Sequence, residues 1–252
     1  MVAVFEQDKG TFSAAKLLPA VLSLIAGSCD VIGFLALGGL FTAHVTGNLV
    51  ILAAHMVSGG AAQVAPMLSV PVFMVVLGLT RLVAAGCERA GFTPLRPLLA
   101  LQFILLVGFL VLGIAAGPDI DPNGAHAILA GMLGVSAMAV QNALVPIALK
   151  GVPTTAVMTT NITRFTVDLA ELVLGRDATE INRARRRARQ IGAAIAGFLI
   201  GCALGAAAEA AVGLWSLTLP VVLALITLGL AFAVDAEPGH RLRALQHEES
   251  RG

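Results

Sequence analysis

Apolar residues run along this chain in six long blocks, and two further blocks interrupt them with polar side chains at helical spacing. The six cover about 17–38, 66–87, 97–117, 126–149, 191–212 and 215–235. A helix needs roughly 20 mostly apolar residues to cross the hydrocarbon of a bilayer, and each block supplies them. The interrupted blocks, 41–58 and 153–174, open with "FTAHVTGNLV" and "PTTAVMTTNITR". Helix breakers introduce both: Gly38 and Gly39 the first, Gly151 and Pro153 the second. The pattern predicts an all-α membrane protein with six transmembrane helices and two broken, re-entrant helical segments.

Composition agrees with burial in lipid. Hydrophobic residues make up 58% of the 252 and charged residues 12%, against roughly 45–50% and about 25% in a soluble domain. The one block near the start that resembles a signal peptide, 17–38, is too long for one and is followed by more spans, so it reads as an uncleaved helix. Cys29, Cys87 and Cys202 lie in or beside apolar runs with no spacing that suggests a disulfide framework or a zinc site. They read as small buried thiols. No G-x-S-x-G, H-E-x-x-H or phosphate-cradling glycine loop occurs. The sequence therefore predicts no metal, no cofactor and no enzyme.

Charge decides which segments cross. Short cytoplasmic loops carry an excess of Lys and Arg. Residues 88–96 hold Arg89 and Arg96, and a predicted loop at 175–190 holds Arg176, Arg183, Arg185, Arg186, Arg187 and Arg189. The tail adds Arg241, Arg243 and Arg251, whereas 118–125 has only Asp119 and Asp121. With 88–96, 175–190 and the tail inside and 118–125 outside, one of 126–149 and 153–174 cannot cross. The polar segment is the natural choice. If 41–58 also turns back, Lys9 and Lys16 fall inside. The expectation is one integral membrane domain over 1–252, with cytoplasmic tails at 1–16 and 236–252. The "RARRRARQ" run then reads as topogenic charge touching anionic headgroups, not as a nucleic-acid signal.

The two polar segments also align. Placing 41–50 over 154–163 matches Thr42 with Thr155, Ala43 with Ala156, Thr46 with Thr159 and Asn48 with Asn161. Each segment follows one span and precedes two, giving repeats at 17–117 and 126–235. Three crossings per repeat make the second inverted relative to the first. Inverted repeats with helices interrupted at matching places are common in secondary transporters. Irregular backbone at membrane depth survives only inside protein or beside a wet cavity. Half-helix ends and short neutral donors there can bind an ion or a polar solute. Thr46, Asn48, Thr159 and Asn161 are therefore candidates, with capping of the breaks as the competing reading.

The stretch "GSCDVIGFLALGGLFTAHVTGNLV", 27–50, resembles the signature of the YoaK-like family of bacterial multi-pass membrane proteins, a domain of unknown function. Gly27, Asp30, Phe34, Phe41, Thr46, Gly47 and Asn48 carry the likeness, and "QNA" at 141–143 with "TTAVMTTNITR" at 154–164 resembles its second half. The resemblance covers nearly the whole chain. It implies a six-span bacterial inner-membrane protein and suggests a permease, without naming a substrate.

Ionisable groups inside spans are functional candidates by default. Asp30 stands within the first span with no cation within a helical turn or two. Alone and buried it suits a proton or cation coupling site, or it bonds to the break and holds it. Asn161, Arg164, Asp168 and Glu171 recur at spacings of three and four and share a helix face, on which Arg164 and Asp168 can pair. That face is either a cavity wall open to the cytoplasm or a solvated stripe. His44, Asn48 and His55 fall near one face of the first segment, and two His eleven apart are no metal motif. Gln141 and Asn142 are placed to face Asp30 across the repeat axis. Gly197, Gly201 and Gly205 form a ridge for close helix approach, internal or in a homodimer. The leading function is a secondary transporter or permease of a small polar solute, proton- or cation-coupled, whose partners are the lipid bilayer and a small-molecule or ion substrate. A passive channel and a non-transporting scaffold are the alternatives. An intramembrane acid–base enzyme ranks below both.

Overall fold

A computed structural model describes residues 14–58, 63–117, 121–149, 151–175 and 177–236. The predicted cytoplasmic tails fall almost wholly outside these residues, as do Arg176 and Asp119. The described residues form eight α-helices and no strand: α1 (Ala14–Ala36), α2 (Val45–Ser58), α3 (Val64–Arg89), α4 (Leu95–Ala115), α5 (Ala125–Ala148), α6 (Met158–Leu174), α7 (Ala178–Val212) and α8 (Thr218–Ala236). A 3-10 turn, Gly213–Leu217, joins the last two.

Five segments are long and apolar enough to cross a membrane, the fifth being Ala178–Phe232, which contains both α7 and α8. The chain is a multi-pass membrane protein. At 14 and 17 residues, α2 and α6 reach only about 21 and 26 Å at 1.5 Å per residue. Both fall short of the roughly 30 Å hydrocarbon layer.

Local signals place these ends. Gly38 and Gly39 adopt φ of 66° and 86°, a region open to glycine, and Gly39 N–H closes α1 on the Phe34 carbonyl at 2.9 Å. Gly151 likewise takes a positive φ, 84°, after α5, where Val152 N–H reaches the Leu149 carbonyl at 3.1 Å. The predicted Arg-rich loop at 175–190 is a correction. Asp177 accepts a hydrogen bond from Thr179 N–H at 3.0 Å and caps α7, which runs 35 residues without a break. Ala and Arg are strong helix formers, so "INRARRRARQ" extends the helix instead of interrupting it.

Among the described residues α1 and α5 are the interior rods. Their apolar windows are 61% and 78% buried, against 17% for α3. α1 packs on α7 and α8, α5 packs on α3 and α4, and α4 meets α8. The short helices lie on the outer neighbours, α2 on α3 and α6 on α7. The glycine ridge of α7 is internal: Gly197 and Gly201 lie against the backbone carbonyls of Ala20 and Leu24 on α1, and Gly205 against Ser28 and Val31. The homodimer reading of that ridge falls, because α1 already occupies it.

Chain ends also meet. The Val64 N–H, at the start of α3, donates to Asn123 Oδ1 at 3.1 Å, and Gly38, just past α1, sits against Pro122 and Gln63. The end of α1, the start of α3 and the α4–α5 connection therefore share one end of the bundle. At the opposite side Gly151, Val152 and Pro153 line a cavity with Arg187 and Gln190 of α7.

A Cβ at Gly201 overlaps the Leu24 carbonyl oxygen, whereas one at Gly78 meets nothing within 4 Å. Gly201→Ala is expected to cost about 2 kcal/mol or more through overpacking, and Gly78→Ala to cost nothing. Thermal unfolding of the two detergent-purified variants checks the contrast.

Candidate functional site

The first break begins where α1 stops. Residues 37–44 turn back between α1 and α5, and the passage is narrow. A Cβ at Gly33 or Gly134 would lie 3.1 or 3.0 Å from the Thr42 methyl. The returning backbone is tied to Asp30, which is 3% exposed. One carboxylate oxygen, Oδ1, accepts the N–H of Thr42 at 2.9 Å, of Ala43 at 2.6 Å and of His44 at 3.4 Å, with the Thr42 hydroxyl at 3.3 Å. The other oxygen bonds to His44 Nδ1. Three successive N–H groups converging on one anion form a nest. Asp30 thus serves the start of α2 as a cap supplied from another helix. Of the two expectations for Asp30, the bond that holds the break is the one seen and the isolated carboxylate is corrected: its partners lie twelve to fourteen residues downstream.

Asn48, fully buried, clasps the same loop. It accepts Phe41 N–H at 2.8 Å, donates to Phe41 C=O at 2.8 Å and donates to Ser69 Oγ at 2.9 Å. His44 stands in the loop ahead of α2, so it shares no helix face with Asn48 and His55. Its ring lies edge-on to Phe41 and Phe198, with centroids 6.4 and 5.4 Å away.

The second break repeats the clasp. Asn161 Nδ2 donates to Thr154 C=O at 2.5 Å, and the Thr154 hydroxyl donates to Asn161 Oδ1 at 3.3 Å. Asn48 and Asn161 each reach seven residues back. The anchor differs. Gln141 donates through Nε2 to Thr155 Oγ1 at 2.9 Å and to Leu22 C=O on α1 at 2.8 Å, and accepts from Gln102 at 2.7 Å. Asn142 donates to Met138 C=O at 2.9 Å. Neither residue bonds to Asp30, contrary to expectation: Gln141 meets α1 at Leu22, two turns earlier.

The breaks meet on one cavity of about 490 Å3, lined by Ala43, His44 and Thr46 from the first, Thr154, Ala156 and Val157 from the second, and Asn142 and Pro146 of α5. Pro146 lacks the N–H that an Asn142 carbonyl would otherwise receive within the helix. Hydroxyls, an imidazole, an amide and backbone groups thus face a largely apolar space. A neighbouring cavity of about 480 Å3 is lined by Asp30, Phe34, Phe41, His44, Phe198 and Cys202, so His44 and Thr46 border both.

Arg164 and Asp168 stand elsewhere. They line a separate cavity of about 450 Å3 with Arg187 and Gln190. Asp168, 4% exposed, accepts Arg187 Nε at 2.9 Å and Nη2 at 2.6 Å. The predicted Arg164–Asp168 pair is corrected, since α7 offers a two-pronged donor to Asp168 and Arg164 is exposed. Thr159 is exposed and borders none of these cavities.

The family described as "Protein of unknown function (DUF1275)" matches residues 18–230. The chain belongs to that family. No curated protein and no solved structure matches it. The match covers both breaks and all eight described helices in whole or part, in keeping with the resemblance carried by 27–50.

The sequence reading missed Thr42, Thr154, Thr155, Ser69 and Gln102 as polar partners. Gln102 had a signal, as a lone amide in an apolar block. Arg187 had none, since its partner lies nineteen positions away. Among thiols, Cys29 is buried as expected, but Cys87 and Cys202 are only half-buried, and Cys202 Sγ donates to Gly27 C=O at 3.5 Å. Glu209 is held by the Ser216 hydroxyl.

Asp30→Asn is expected to lower stability by about 3 kcal/mol, because charge-assisted bonds to three N–H groups weaken together. Asn48→Ala is expected to cost about 2 kcal/mol by leaving both Phe41 backbone groups unpaired. Thr46→Ala, at an exposed position, stays within about 0.5 kcal/mol. Thermal melts of the three variants in one detergent rank them.

Proposed function

We propose that this chain is a permease for a small polar solute, built from two inverted repeats of three crossings and one re-entrant half-helix. The observation that carries the reading is the shared cavity: two chain breaks, one from each half, bring polar groups to the same open pocket. Transporters of this construction bind substrate where interrupted helices meet.

Three further observations support the topology. Exchanging α1–α4 with α5–α8 preserves the major packing pairs: α1 on α7 becomes α5 on α3, α1 on α8 becomes α5 on α4, α2 on α3 becomes α6 on α7, and α4 on α8 maps onto itself. The contact of α1's end with α3's start favours a turning back of α2. The 3-10 turn divides Ala178–Phe232 into two crossings, making six in all. The cationic start of α7 favours an inside location for that end, hence cytoplasmic termini in a bacterial inner membrane.

Transport fits better than acid–base catalysis. Asp30 is engaged by backbone N–H groups and Asp168 by Arg187, so neither carboxylate stands free over the shared cavity. His44 borders both cavities, and we assign proton coupling to it.

Two measurements test this reading. In a background without the native cysteines, Ser58→Cys and Ala178→Cys are expected to react with impermeant thiol reagents from opposite sides of the membrane. Labelling from one side removes the topology. Proteoliposomes are then expected to take up labelled amino acids, organic acids, amines or sugars in an uncoupler-sensitive way. Uptake indifferent to the gradient indicates a channel, and absence of flux for every class removes the transport reading.

A further inference from the structure

One end of the bundle carries no fixed positive charge. The end of α1, the start of α3, the α4–α5 connection and the turn from α7 to α8 come from 36–80, 97–149 and 190–240, stretches without a single Lys or Arg. At this end a cavity of about 640 Å3 is lined by Gly38, Gly117, Pro122, Glu209, Gly213 and Trp215. Glu209 is its one charged side chain. Trp215, the sole tryptophan of the chain, stands 60% exposed beside it.

Glu209 lies in the last turn of α7, where the helix's own dipole disfavours an anion. The buried Ser216 hydroxyl donates to Oε2 and holds the carboxylate in place. The other oxygen, Oε1, accepts from no group among the described residues. Three helices also finish against this cavity: Gly38, Gly117 and Gly213 follow α1, α4 and α7 with φ of 66°, 82° and 57°, a common helix stop. Each such end adds partial negative charge from its last carbonyls. A half-free carboxylate, three negative helix ends and an indole thus surround one space, and no cation of the protein answers them there.

We propose that this cavity binds a small organic ammonium ion. The site is separate from the central cavities and stands whether or not the chain transports. The ammonium N–H groups donate to the free oxygen of Glu209, a charge-assisted bond. The helix ends and the Trp215 ring, through cation–π attraction, stabilise the same charge. The ligand's alkyl part meets Leu35, Ile114 and Leu214, which complete the lining. A bare alkali ion leaves that apolar wall unused, and an anion is repelled by Glu209.

The test uses the full chain purified in detergent, with ethylammonium chloride as probe and potassium chloride and ethanol at matched concentration as controls. Tryptophan emission reports on this cavity alone, since Trp215 has no counterpart elsewhere. Ethylammonium is expected to change the emission saturably, and neither control to do so. Glu209→Gln keeps an acceptor for Ser216 but loses the charge, so its half-saturation is expected to weaken about tenfold. Asp121→Asn removes an exposed carboxylate at the same end that does not line the cavity, and is expected to bind as the wild type does. An emission that treats ethylammonium, potassium and ethanol alike overturns the proposal. So does an undiminished response in Glu209→Gln, or an equal loss in Asp121→Asn, which reduces the effect to surface charge. Should Glu209→Gln fail to fold, Trp215→Leu decides by thermal melting. Ethylammonium is expected to raise the wild-type Tm by about 2 °C and that of Trp215→Leu by less than half as much, and an equal rise overturns the assignment.

Discussion

A polypeptide that breaks its helix inside a protein must give the freed N–H and C=O groups partners, and the Asp30 carboxylate meets that demand for the first break. One side chain on α1 takes three consecutive backbone donors, the Thr42 hydroxyl and the His44 ring. The loop's path, the starting depth of α2 and the position of His44 all follow from this contact. So do the two central cavities, since His44 borders both. A charge that is expensive to bury in isolation becomes tolerable because the broken backbone needs an acceptor there.

The second half meets the same demand with neutral groups. Its clasp, Asn161 on Thr154, repeats that of Asn48 on Phe41, but Gln141 takes the anchoring role by gripping Thr155 through its hydroxyl. The first break is thus held by a buried carboxylate and the second by a buried amide.

The charged surface of α6 and α7 belongs to a different task. At 35 residues α7 extends about 52 Å, well beyond the roughly 30 Å of hydrocarbon. Its first turns carry the arginines, and the Asp168–Arg187 fork ties α6 to that extension. Small residues let the remainder of α7 press against α1. One helix therefore binds α6 through an ion pair at one end and packs closely on α1 at the other.

Much was legible in the linear chain because the governing forces are local or compositional. Apolar block length set the spans. Glycine and proline marked both breaks, and four matches in ten residues paired Asn48 with Asn161, whose side chains each bond a backbone carbonyl seven residues back. What the chain could not disclose were partners joined only by folding. Asp30 read either as an isolated carboxylate or as a tie to the break, because its ligands lie on a loop whose return only folding decides. Asp168 read as the partner of Arg164 because helical spacing offers one neighbour, while the tertiary fold brings a better-shaped donor from α7. The arginine run read as a loop because charge was taken for a break, although alanine and arginine sustain a helix. Amino-acid order determines where a segment is apolar, where it bends and which residues recur. Only packing decides which buried polar group meets which, since that choice depends on distances between segments far apart along the chain.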